Sequence, residues 1–373
     1  MKKTCYTLIV LAAFFFKSCK EPYRPLIESL PDSFLVVEGV LNPGPKPAVI
    51  RLTRTFKLDQ DATVKTEDNA QLMVEGKDNT ISSFLSTGNG NYVSGNLNLI
   101  ANHEYRLRIK TVDGKEYLSD YVKAKITPHI DSIGWDKNNV GVQIYINTKD
   151  LSNVTRYYRW DYEETWEIHS HLPTFYIYEN GVIRQRLFPQ EDVSICWKQN
   201  ISSNILLGNS IRLLDDIIYK GPVRLISQAE DRLSVRYSIL VRQYALEQGA
   251  YDFFELLKKN TENIGSLFSP QPSELRGNIH CISNPAEYVI GYVTASTIEE
   301  KRTFISAAEV FPWGFNMICP SVDVPGNRDS INYAVNVLGL VPAYYIIPIY
   351  VFSTPECVDC TKRGGSTIRP VFW

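Results

Sequence analysis

The sequence predicts a mainly β protein: an N-terminal immunoglobulin-like β-sandwich followed by a larger β-rich domain with one clear α-helix. Three observations carry that class. Tyr 22, Phe 16 and Trp 6 in 373 residues, against Met 3, favour pleated surfaces on which aromatic rings stack. Apolar and polar residues alternate with period two in short segments, separated by turn residues about every ten positions. A helical period stands out only once. No repeat of a few tens of residues is present, which excludes a propeller or solenoid. Lys+Arg 39 against Asp+Glu 41 gives a net charge of −2, so a nucleic-acid partner, which needs a basic surface, is excluded as an expectation.

The elements follow in order. Met1-Lys2-Lys3 opens a basic start, and Thr7 to Phe16 is an uncharged apolar run too short to span a bilayer but suited to an export signal. The run ends at Phe16-Lys17-Ser18-Cys19, where a small residue before Cys marks Cys19 as a lipidation site, with residues 1–18 removed. Loss of Lys2, Lys3 and Lys17 leaves 36 basic against 41 acidic residues, a net charge of −5. Such a body does not hold anionic lipid by charge, so the expected membrane partner is reached through acyl chains. The address is the outer membrane, with the leaflet left open. Residues 19–33, with Pro22, Pro25 and Pro31, read as an extended tether.

The sandwich is expected over residues 34–127. Phe34 to Val40 is a β-branched run, Pro and Gly mark a turn at 42–47, and Ala48 to Thr55 alternates. Glu104 to Val112 sets Tyr105, Leu107 and Ile109 against Arg106, Arg108 and Lys110, then meets Lys115 to Val122 across Asp113-Gly114. That dipeptide predicts a two-residue hairpin with φ > 0 at both positions. Thr127-Pro128 is the expected boundary. Over residues 128–373, strands are expected at Val140–Asn147, Arg156–Ser170, Leu233–Ala245, Glu287–Thr297 and Arg302–Val310. In the second of these Tyr158, Trp160, Tyr162, Trp166 and Ile168 share one face. The helix is expected at Gln248–Asn260, with Ala250, Phe253, Phe254 and Leu257 on one stripe.

Chemistry is sparse. After Cys5 and Cys19, the cysteines Cys196, Cys281, Cys319, Cys357 and Cys360 remain, and an exported chain makes them disulfide candidates. Five is odd, so at most two bridges form and one thiol is left over. No hydrolase elbow, phosphate loop, dinucleotide motif or zinc-protease motif occurs. His169 and His171 share a strand face and are the best metal-ligand candidates, with Glu163 or Glu167 nearby, but a strand end explains exposed histidines more simply. Asp161, Glu163 and Glu167 read as a solvated outer stripe. No catalytic residue and no cofactor are expected. Ser330 to Pro355 carries no charged side chain, and Val337 to Phe352 reads as two strands buried on both faces. Within it the Ile346–Val351 segment is expected in the core, and Tyr344, Tyr345 and Tyr350 are candidate docking residues for a partner.

Several stretches together resemble one family: Leu35-Val-Val-Glu-Gly39, Thr127-Pro-His-Ile-Asp-Ser132, Ile195-Cys-Trp197 and Arg236 to Tyr244. Gly265-Ser-Leu-Phe, Gly277-Asn-Ile-His-Cys281 and the ending Cys357-Val-Asp-Cys360 to Phe372-Trp373 complete the set. The chain resembles the Bacteroidetes lipoproteins catalogued as domain of unknown function 4249. That resemblance implies an outer-membrane lipoprotein, often encoded beside TonB-dependent receptors, with no catalytic residues to carry over. The expected function is a non-enzymatic accessory or cargo/receptor-binding component of such an uptake system, with a TonB-dependent receptor barrel as partner. The alternative is a metal-dependent hydrolase of the envelope, or a metal-binding protein, built on His169 and His171.

Overall fold

The computed structural model describes residues 33–55, 64–262 and 275–373. The export segment, Cys19, the tether up to residue 32 and Gly265-Ser-Leu-Phe lie outside the described residues.

The N-terminal sheet has 12 strands. Leu35–Leu41 pairs antiparallel with Val49–Arg54, Val37 facing Leu52. Onward from there come Asn91–Ser94, Ile81–Gly88, Gln71–Gly76, Glu104–Lys110 and Glu116–Ser119. The sandwich takes the form of one sheet rolled until its edges nearly meet. Both edges come from far along the chain: Ile279–Cys281 pairs with Glu116–Ser119, and Val289–Ile290 pairs in parallel with Leu35–Leu41. Rolling lets a single inward face of Leu35, Ile50, Leu72, Tyr92, Leu107 and Tyr117 bury itself. This sheet thus draws strands from both sides of Thr127-Pro128.

Two local expectations are corrected here. The strand expected at Glu287–Thr297 is split into Val289–Ile290 and Thr294–Ala295, both paired with Leu35–Leu41. Between them Gly291 takes φ 138°, and a Cβ there would stand 2.1 Å from the Val37 carbonyl oxygen. The hairpin at Asp113-Gly114 forms, but with a three-residue loop. The Gly114 amide donates to Thr111 O (3.0 Å), the Thr111 amide donates to Lys115 O (3.0 Å), and only Gly114 takes positive φ, 83°. That is a type I turn closed by a left-handed glycine, so Asp113 keeps an ordinary backbone.

The second body holds a three-stranded sheet (Ile130–Lys137, Gly141–Asp150, Asp216–Ser227) and a five-stranded one. The latter runs Ile195–Ile201, Tyr157–His169, Arg236–Leu246, Ile298–Ser306, with Leu206–Asn209 also paired to Tyr157–His169. Their inner faces share one core, including Ile144, Ile146, Ile226, Trp160, Ile239 and Val241. The expected strand Arg302–Val310 begins earlier and stops at Ser306, where Ser306 and Glu309 cap a short helical turn at Ala307–Val310. The helix spans Gln248–Glu262 and buries Ala250 and Phe253.

A third, small core lies near the C-terminus. The strands Val322–Pro325, Ile349–Ser353 and Val341–Ile346 form a sheet against the helix Arg328–Asn336, around Val324, Ala334, Leu340 and Phe352. The sequence periodicity did not reveal this helix; Asn327 caps it through Ser330 N (2.9 Å). The strand pair expected across Val337–Phe352 forms, but it is not buried on both faces. Ala343, Val351, Phe352 and Ser353 are buried at its base, while Ile346 and Ile347 are exposed at its tip. A core this small cannot cover a whole hairpin, so the expectation of a core segment at Ile346–Val351 holds only for its last residue. Among the described residues no helix is long and apolar enough to cross a membrane.

Cys196 bonds to Cys360 and Cys319 to Cys357, leaving Cys281 buried and unpaired.

Candidate docking surface

The hairpin tip meets a second hairpin, Tyr176–Glu179 with Val182–Gln185, from a distant part of the chain. Three tyrosine rings gather there. Tyr345 and Tyr350 lie 4.6 Å apart between centroids, Tyr176 and Tyr350 5.5 Å at 84°, and Tyr176 and Tyr345 6.5 Å. Edge-to-face geometry of this kind adds stability beyond area alone. Burial pushes the Tyr350 phenol above its usual range, with the two neighbouring tyrosines acting the same way. Tyr345 keeps 39 % of its surface exposed, and Ile347 beside it 84 %. Strand alternation sends Tyr344 to the other face, so of the three candidate tyrosines two join the cluster and Tyr176 is the one the sequence reading missed.

Two more rings extend the surface. Phe175 and Phe188 pack at 6.4 Å, both exposed, and the Phe175 amide donates to Ala343 O on the outer edge of Val341–Ile346 (3.0 Å). Arg184 fastens this part by bonding Glu179 (2.7 Å) and Glu191 (2.7 Å). The Arg184 guanidinium and the Leu187 amide hold the Glu191 carboxyl down at about 2. Tyr178 donates to Asn332 on the small helix (3.0 Å). The arrangement is an aromatic, uncharged tip on a stapled base. It offers contact area and phenolic hydroxyls.

The other candidates separate from it. His169 Nε2 lies 2.6 Å from Glu167 Oε1, and the His171 amide donates to Cys357 O (2.9 Å). Both histidines line an open cleft of about 260 Å³ with Ser234, Phe315, Met317 and Arg363. Among the described residues no group of three His, Cys, Asp or Glu could hold a metal ion. The acidic stripe is not a solvated face. Arg242 bonds Asp161 (3.3 Å), Glu163 and Glu300 (3.2 Å), and Trp373 donates its indole N–H to Glu167 (2.9 Å). The chain's end covers that stripe: Arg236 lies under Phe304 and Trp373, and Arg302 under Phe372.

The charge that sequence reasoning missed is Glu164, whose side chain is fully buried. It accepts from Tyr237 OH (2.9 Å) and Asn200 Nδ2 (2.9 Å), with Arg232 at 3.1 Å and Arg224 at 3.5 Å. Burial, then the Glu164 charge, raises the Tyr237 phenol far above its usual range. The signal was present in the sequence: Glu164 has the same parity as Tyr158, Trp160, Tyr162 and Trp166, so alternation turns it inward.

A family model described as domain of unknown function DUF4249 matches residues 20–302. The chain belongs to this family. The DUF4249 match takes in the rolled sheet, the five-stranded sheet up to the middle of its edge strand Ile298–Ser306, and the hairpin that carries Tyr176. It stops before Tyr345, Tyr350 and the Cys357–Cys360 segment. No curated protein matches. A solved structure, the native conformation of E. coli alpha-2-macroglobulin, is similar at 14 % identity over 58 % of this chain, with a TM-score of 0.18. This chain spans 13 % of that protein's length, and a likeness so loose carries no argument.

Proposed function

We propose that this DUF4249 chain is a non-enzymatic lipoprotein of the cell envelope, anchored through Cys19 at the outer membrane. In this reading it is an accessory component of a TonB-dependent uptake system and contacts the receptor barrel or its cargo. The observation that carries the reading is the half-exposed trio Tyr176, Tyr345 and Tyr350 beside the bare Ile346-Ile347 tip. Exposed aromatic rings on a rigid base lose little freedom when they dock, which is why tyrosine recurs at binding hot spots. An uncharged surface also avoids desolvating ions on contact.

The test is affinity capture of the chain from gently solubilised outer membranes. The receptor should co-purify with the parent chain. Tyr345→Ala and Ile347→Asp should each lower the captured receptor at least tenfold at unchanged protein level, and Ile347→Asp, at an 84 % exposed position outside the ring cluster, should also leave the melting temperature unchanged. An unchanged set of captured proteins in both variants refutes the docking face. Metal content separates the alternative: a stoichiometric ion lost in His169→Ala with His171→Ala would favour the metal-dependent reading over contact.

A further inference from the structure

The helix Gln248–Glu262 has two working faces. One is apolar and turns inward: Ala250 and Phe253 are buried. Phe254 helps to fix the helix on the sheet, because the Arg159 guanidinium is held between its ring (4.8 Å) and that of Tyr244 (4.4 Å). Gln248, Tyr251, Asp252 and Glu255 fall at i, i+3, i+4 and i+7, so they share a second, polar stripe. That stripe is one wall of an open pocket of about 420 Å³. The volume lies in the range of small-ligand sites.

Tyr157 and Asn209, opposite each other on paired strands, make the facing wall with the loop residues Ile211 and Arg212. The Tyr157 and Tyr251 rings stand 5.1 Å apart at 47°. Asn209 Nδ2 donates to the Tyr251 hydroxyl (2.9 Å), which ties strand to helix and fixes that ring. The remaining polar groups of the pocket are unspent. Among the described residues neither Arg212 nor Asp252 has an ion-pair partner, and the Tyr157 hydroxyl and the Gln248 side-chain amide bond no protein group. Glu255 pairs with Lys259 (3.2 Å). The lining is therefore balanced in charge, Arg212 offsetting Asp252 and Lys259 offsetting Glu255.

We propose that this pocket binds a neutral oligosaccharide, with a sugar ring against the Tyr157–Tyr251 pair and its hydroxyls bonded by Arg212, Asp252 and Gln248. The donor set matches hydroxyl chemistry. A sugar hydroxyl both donates and accepts, and the pocket offers a fork of donors on Arg212, a pure acceptor on Asp252 and both on Gln248. The tyrosine rings supply apolar faces for the C–H side of a sugar, with hydroxyl tips for its polar edge. Other ligand classes fit less well. A phosphate or carboxylate needs a lining of net positive charge, and this one is balanced. A lipid chain or apolar peptide needs aliphatic walls, and Ile211 is the one aliphatic residue in the lining. The pocket shares no residue with the cluster of Tyr176, Tyr345 and Tyr350, so this inference stands apart from the docking reading.

The test is calorimetric titration of the purified mature chain with maltohexaose, cellohexaose, laminarihexaose and xylohexaose, and with free glutamate alongside. At least one of the sugars should bind saturably, one per chain. Arg212→Ala with Asp252→Ala, both at exposed positions, should weaken that sugar at least tenfold at unchanged melting temperature. Tyr157→Leu, which keeps apolar bulk but removes the ring, should weaken it as well. Tyr345→Ala should bind like the parent. Silence from every sugar overturns the proposal, and so does a double variant that binds the sugar unchanged. Saturable binding of glutamate with no sugar bound would overturn it too, assigning Arg212 and Asp252 to a zwitterion.

Discussion

The Glu164 carboxylate is shared among Tyr237, Asn200, Arg224 and Arg232, so its removal strands two cations and a phenol inside the second core. Breaking a buried pair from one side costs about 3–5 kcal/mol, and the partial solvent access of both arginines places Glu164→Ala near the lower end, about 3 kcal/mol. Denaturant melts of the purified chain check this; a loss under about 1 kcal/mol would mean the arginines find solvent instead. Asp150 carries a pH dependence. Burial works against its charge, but the Ser152 hydroxyl and the amides of Thr155, Ser152 and Val154 outweigh it and hold the group at about 2. Its ordinary value is about 3.9, so the folded value is depressed. The stability it lends is therefore complete above about pH 4 and is lost as pH falls toward 2. Asp150→Asn should flatten the fall in melting temperature over that window. An equal acid slope in the variant would show that other carboxylates set it.

At the scale of elements, the segment Pro355–Arg363 is the staple of the C-terminal half. Through Cys357 it holds Cys319 beside the small sheet, and through Cys360 it holds Cys196 on the five-stranded one. The Cys196–Cys360 bridge closes a separation of 164 residues and the other bridge 38. Chain entropy alone makes the longer closure the more stabilising, on the order of 5 against 4 kcal/mol as upper figures. Cys360→Ser should accordingly lower the melting temperature more than Cys319→Ser. The reverse order would mean that the small core, with so few buried residues, depends on its own bridge more than the large one does. Sequence spacing showed that two bridges at most could form. It could not say which cysteines meet, because Cys196 reaches Cys360 only once the strand Ile195–Ile201 and the chain end have docked on the same sheet edge, Trp197 against Ser366.

For the molecule as a whole, the N-terminal sheet is closed by residues that lie more than a hundred positions beyond Thr127. Ile279, Cys281, Val289, Val293 and Ala295 sit in the same core as Leu35 and Ile50. A fragment of residues 34–127 lacks both closing edges and leaves that core open, so it should show no cooperative melt, whereas the mature chain should. A cooperative transition in the fragment would mean that the edges only decorate a self-sufficient sheet. The alternating strands, the helix at Gln248–Glu262 and the inward parity of Trp160 and Trp166 were legible, because period and propensity are local properties that neighbours in sequence express together. By itself the sequence determined a mainly β chain with family-specific stretches, an odd cysteine set and an uncharged segment near its end. Only the tertiary structure decided that Tyr176 joins Tyr345 and Tyr350, that Glu164 is buried among arginines, and that Cys196 meets Cys360. Each of those is a meeting of residues distant along the chain. Such meetings depend on which strand edges pair and how the sheets curl, and no local pattern records either.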